Sequence, residues 1–156
     1  MKKYFLFLLT TLSIFSCEEN VKFNNPSFQG LKDNVFWRAI TTTATINSSN
    51  ELIITAYTSK EQIVLKTPSD DINTYTLGED NISTATYTLT EDTTVTTYST
   101  GTNTGNGQIE ITEYDIANKI ITGTFKFNAI NTITNPESQS NLNFQQGVFY
   151  KIPVTP

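Results

Sequence analysis

The chain predicts an all-β fold, a single antiparallel β-sandwich or up-and-down barrel of about nine strands. Three observations predict it. Threonine supplies 26 of the 140 residues from Cys17 onward, and with Ile, Val, Tyr and Phe it makes a composition suited to half-buried pleated strands. Apolar and polar residues alternate with period 2 along the chain, whereas no window sets apolar residues at helical spacing. Clusters of Gly, Asn, Asp, Ser and Pro separate the alternating runs at the spacing of sandwich or barrel turns.

The first strand is expected over Val35 to Ile40, where Trp37 alternates with Val35 and Ala39 and so reads as core. Glu51 to Tyr57, Gln62 to Lys66, Thr74 to Leu77, Thr84 to Leu89 and Thr94 to Tyr98 follow, divided by "NSSN", "TSKE", "TPSDD", "GEDN" and "TEDT". The clearest hairpin is "GQIEITEYDIANKIITGTFKFNA". Ile109 and Ile111 alternate with Gln108, Glu110 and Thr112, "YDIAN" turns, and Ile121, Phe125 and Phe127 alternate with Thr122, Thr124 and Lys126. Gly123 falls on the oily face of that run, which marks a bulge or the close approach of another strand. Phe144 to Ile152 closes the series.

The amino end follows a different grammar. "MKK", an apolar run from Tyr4 to Phe15, Ser16 and the chain's single cysteine, Cys17, follow the order of a secretory leader. The run would rise only about 18 Å as a helix, short of a hydrocarbon core of about 30 Å, so residues 1–16 read as a signal peptide and not as a span. With no second cysteine, a structural disulfide has no partner. Residues 17–30, polar and broken by Pro26, read as a flexible tether, and the β domain is expected over 31–156.

Charge and residue inventory exclude several functions. The chain carries −5, and removing Lys2 and Lys3 with the leader leaves 15 acids against 8 scattered bases, a balance that repels nucleic acid. Without histidine, Ser-His-Asp and Cys-His catalysis and the usual zinc and copper sites lose their parts. Paired carboxylates can cleave a glycosidic bond, but Glu110 alternates with core isoleucines and so faces water, while Glu113 and Asp115 flank a turn. These features imply no enzyme and no cofactor. The acid pairs Asp70 and Asp71, Glu79 and Asp80, and Glu91 and Asp92 are weak calcium candidates, since calcium takes six to eight oxygens in irregular geometry. Tyr57, Tyr87, Tyr98 and Tyr114 suit half-buried strand positions with wet hydroxyls, and any of them that faces outward offers a platform for a sugar.

Three short motifs and the body of the domain resemble known patterns and families. Ile14-Phe15-Ser16-Cys17 resembles a lipobox, which implies cleavage before Cys17 and acylation of its thiol and new amino group. Several acyl chains at about 0.8 kcal/mol per buried methylene would hold a domain on a bilayer. Glu18 and Glu19 resemble the acidic export signal of Bacteroidota lipoproteins, with a merely solvated acidic tether as the other reading. Asp92-Thr93-Thr94 resembles the O-glycosylation motif of exported Bacteroidota proteins, which implies a glycan on Thr93. "NVFWRA", "ELIITAY", "TYTLG", "ITGTFKF" and "QGVFYKI" resemble an uncharacterised family of small Bacteroidota lipoproteins, a domain of unknown function. The expectation is therefore an outer-membrane lipoprotein, on the cell surface or the periplasmic face, that binds a glycan, peptide or protein partner without catalysis. The alternative is a closed barrel carrying a small apolar ligand in a cavity lined by residues such as Ile109, Ile111, Phe125 and Phe127.

Overall fold

The computed structural model describes residues 27–131 and 140–155. Every regular element in them is a strand, and there are eleven where about nine were expected: β1 (Ser27–Lys32), β2 (Val35–Arg38), β3 (Thr41–Ile46), β4 (Leu52–Tyr57), β5 (Glu61–Thr67), β6 (Thr74–Leu77), β7 (Thr84–Glu91), β8 (Thr94–Ser99), β9 (Asn106–Asp115), β10 (Ile120–Asn131) and β11 (Asn141–Thr155). The additional two are β1 and β3. In "SFQGLK" only Phe28 and Gly30 are buried, and in "TTTATI" only Ala44 is, so glycine, alanine and threonine supply too little hydropathy contrast for alternation to stand out. Because β1 begins at Ser27, four residues read as tether, 27–30, belong to the sheet.

The β-sheet network has two layers. One runs β2-β1-β11-β10-β9-β6 and the other β3-β4-β5-β7-β8. The layers join where Val154 and Thr155 pair in parallel with Ala44 and Thr45, and where Ile130 and Asn131 pair with Ser99 and Tyr98. These junctions sit at opposite ends of the β10–β11 pair, since Ile130 lies against Asn141 and Ile120 against Pro153. Seven strands thus form a closed circuit, with β1–β2 and β9–β6 extending one layer beyond it. Sandwich and barrel meet in one architecture.

Aromatic rings fill the space between the layers. Phe28 stacks on Phe125 with centroids 4.6 Å apart, Phe127 on Phe144 at 5.1 Å, and Tyr87 of the second layer reaches Phe144 at 6.1 Å. Gly123 shows why a residue without a side chain sits on the oily face. A Cβ there would collide with the Phe149 ring and the Glu110 carbonyl, and the β9–β10 register shifts at the same point. The β1–β2 turn, Asp33-Asn34, takes positive φ at both positions (48° and 66°), the type I′ pattern whose twist matches a two-residue hairpin.

Trp37 is core as expected, 5% exposed, and stands edge-on to Phe28 and Phe144. Val35 corrects the expectation drawn from its spacing to Trp37. It is 67% exposed, at the first position of β2, the edge strand of its layer.

Candidate functional site

Two clusters stand out, one at each end of β5. At its amino end, Glu61 receives four side-chain donors. Lys32 Nζ pairs with Oε1, the Tyr87 hydroxyl donates to Oε1 at 2.5 Å, Trp37 Nε1 to Oε2 at 2.7 Å, and Thr58 Oγ1 lies 3.4 Å from Oε2. Lys32 and Trp37 come from one layer and Glu61 and Tyr87 from the other, so a single carboxylate ties the sandwich together. Burial opposes the charge on Glu61, but hydrogen bonds from Lys32, Tyr87 and Trp37 overcome it and hold the carboxyl below the usual range. Tyr87 is pushed up by burial and by the neighbouring Glu61. The Glu61 carboxylate of this node is thus held ionised while Lys32, Trp37 and Tyr87 bind it from both layers.

At the other end of β5 lies an open cleft of about 540 Å³, lined by Asp70, Asp71, Ile72, Tyr114 and Ile116. The loop after β5 and the β9–β10 turn form its two sides. The loop is internally braced. Thr67 Oγ1 donates to the Ser69 carbonyl at 2.7 Å, Ser69 Oγ to Asp71 Oδ2 at 2.7 Å, and the Tyr75 hydroxyl to the Asp71 carbonyl at 3.0 Å. Tyr114 and Asp70 line the cleft together, and the tyrosine hydroxyl pKa is raised, by burial first and then by the nearby Asp70 charge. Ile72 and Ile116 stand 66% and 76% exposed at the rims and give the cleft aliphatic edges beside its carboxylates.

The sequence-derived candidates scatter around this frame. Cys17, Glu18 and Glu19 lie outside the described residues. Among the acid pairs, Asp70 and Asp71 line the cleft, whereas Asp80 caps the β6–β7 loop by accepting from Ile82 N at 2.8 Å and Ser83 N at 3.3 Å, beside exposed Glu79. Glu91 and Asp92 occupy the β7–β8 turn, where Asp92 has a φ of 49°. Among the described residues no three His, Cys, Asp or Glu side chains gather to hold a metal. Thr93 sits exposed at the tip of that turn.

Glu110 is half-buried, not fully wet, and Thr124 Oγ1 lies 3.3 Å from its Oε2. Glu113 and Asp115 share a shallow polar cleft of about 370 Å³ with Thr122 and Lys151. Asn118 engages Asp115 through its side chain at 2.7 Å and its backbone N–H at 3.0 Å, which lowers the Asp115 pKa and makes it a turn cap. Of the tyrosines, Tyr57 is 40% exposed, Tyr87 and Tyr98 are buried, and Tyr114 faces the cleft. Ile109, Ile111, Phe125 and Phe127 are all buried, the two phenylalanines stacked at 6.1 Å. Sequence reasoning passed over Glu61, three of whose four side-chain donors lie 24 to 29 residues away and leave no local signal.

No helix among the described residues is long and apolar enough to cross a membrane. Comparison with curated proteins and with solved structures returns no significant match. The profile of a family described as a domain of unknown function (DUF6252) matches residues 24–153, and with that span covering nearly the whole β domain, the chain belongs to this family.

Proposed function

We propose that the protein is a triacylated lipoprotein of the outer membrane whose β domain is a non-catalytic binding module, presenting its loops to a glycan, peptide or protein partner. The observation that carries the binding reading is the cleft between the loop after β5 and the β9–β10 turn, where braced backbone holds two isoleucines out in water. The carrier alternative is less well supported, because Phe125 and Phe127 are packed against Phe28, Phe144 and each other where a ligand would lie. Against catalysis stand the capped Asp115 and the four-donor environment of Glu61, neither of which offers a carboxyl acid near neutral pH.

The anchor rests on Cys17 at the end of the apolar leader, with Glu18 and Glu19 as the proposed export signal and Thr93 as the proposed glycan acceptor. Metabolic palmitate labelling, paired with proteinase treatment of intact cells, tests the reading. Labelled wild-type protein and unlabelled Cys17→Ala protein are expected, and label persisting on Cys17→Ala would overturn the anchor. Replacing Glu18 and Glu19 by alanine is expected to reduce proteinase cleavage on intact cells. Unchanged cleavage would remove the export role.

A further inference from the structure

The end cleft combines three chemistries that rarely suit one ligand. Asp70 and Asp71 bring carboxylates, Tyr114 brings an aromatic ring, and Ile72 and Ile116 bring aliphatic rims that are 66% and 76% exposed. No lysine or arginine is among the residues that line it. We infer that this cleft binds a lysine or arginine side chain carried on an extended, partly aliphatic peptide segment of a partner protein.

The charge and shape of the cleft favour that class over the others. A neutral apolar ligand would cover Asp70 without pairing it, and leaving a carboxylate desolvated and unpaired is costly. Calcium wants six to eight oxygens, but the lining brings only two carboxylates, and Asp71 already accepts from Ser69 Oγ. A sugar stacks on an open aromatic face, and here the exposed walls are branched aliphatics. A basic side chain satisfies all three surfaces at once. Its cationic head meets the carboxylates and the ring, and its methylene stem lies along the isoleucines. The volume of about 540 Å³ fits one or two side chains of a peptide. The acidic balance of the chain, −5 overall, steers such a partner toward it. Because the loop is braced through Thr67, Ser69 and Tyr75, little ordering is left to be done on binding.

This assignment rests on the binding-module reading but not on the lipid anchor. The test uses the full chain, purified in an uncharged detergent, and fluorescence anisotropy of a peptide Ser-Leu-Arg-Leu-Ser-Gly bearing a neutral dye, beside versions with lysine or glutamine in place of arginine. The arginine and lysine peptides are expected to bind saturably, and the glutamine peptide about tenfold or more weakly. Asp70→Asn with Asp71→Asn, which removes both charges at nearly unchanged size, is expected to weaken the arginine peptide by about tenfold. Ile72→Ser with Ile116→Ser tests the aliphatic walls and is expected to weaken both basic peptides. Equal affinity for the glutamine peptide, indifference to the Asp70 and Asp71 changes, or no saturation by about 1 mM would each overturn the inference. So would displacement of the peptide by a neutral oligosaccharide. Peptide binding by a protein that takes no palmitate would retire the anchor and keep the cleft, while palmitate labelling without peptide binding would retire the cleft alone.

Discussion

Replacing Glu61 by alanine removes the acceptor that three buried or half-buried donors from both layers share. Trp37 Nε1 and the Tyr87 hydroxyl lose bonds of 2.7 and 2.5 Å, and Lys32 loses its counter-ion. A hydrogen bond to a charged group contributes about 1.5 to 3 kcal/mol, and an orphaned buried donor is costly. The side chains of Glu61 and Lys32 remain 16% and 26% exposed, so water can re-solvate the ammonium and the lower end of the range applies. Two lost bonds then give about 3 kcal/mol, or roughly 10 °C in melting temperature for a domain of this size. Trp37 is the only tryptophan and sits in the node itself, so its fluorescence reports the melt directly. Lys32→Met in the Glu61→Ala background, which removes the unpaired cation, is expected to recover part of the loss. A Glu61→Ala protein melting within about 2 °C of wild type, or a double variant no more stable than the single, would refute the account of Glu61 as the tie between layers.

The node also predicts a pH dependence. Because the folded state holds the Glu61 carboxyl below its ordinary value of 4.5, its contribution is fully present above that value and is lost as pH falls through the folded pKa. Glu61→Gln should therefore flatten the decline in urea midpoint below pH 4.5, and an unchanged slope would count against it. Gly123→Ala should lower the unfolding free energy measured in urea by about 1 to 3 kcal/mol or more, since backbone and the Phe149 ring leave no room for a Cβ, and a neutral result would contradict the packing there. Phe144→Ala, which empties the site where Trp37, Tyr87, Phe125 and Phe127 converge, should cost about 3 to 5 kcal/mol in the same measurement. Intact mass of the protein from its own host should exceed that of acylated residues 17–156 and lose one glycan in Thr93→Ala, whereas a wild-type mass equal to that of the acylated chain alone would end the glycosylation reading.

Local pattern made most of the β character legible. In the "ITGTFKF" stretch, Ile121, Phe125 and Phe127 lie inward and Thr122, Thr124 and Lys126 outward, as alternation alone requires, and the glycine between them marks a close approach. β1 and β3 escaped because threonine, glycine and alanine pack in a sheet without a hydropathy contrast to announce it. Val35 misled for a related reason. Alternation assigns a face, but exposure depends on whether another layer covers that face.

By itself, then, the sequence determined the strand period, the outward and inward faces of the longest hairpin, the acidic balance and the residue types that exclude histidine and disulfide chemistry. The tertiary structure alone decided which strands close the circuit, that Glu61 gathers Lys32, Trp37 and Tyr87, and that Asp70 shares a cleft with Tyr114 while Asp80 caps the β6–β7 loop. The physical reason lies in range. Alternation is written into neighbours two residues apart, whereas these meetings join residues 24 to 44 positions apart and follow from sheet order, which no local pattern encodes.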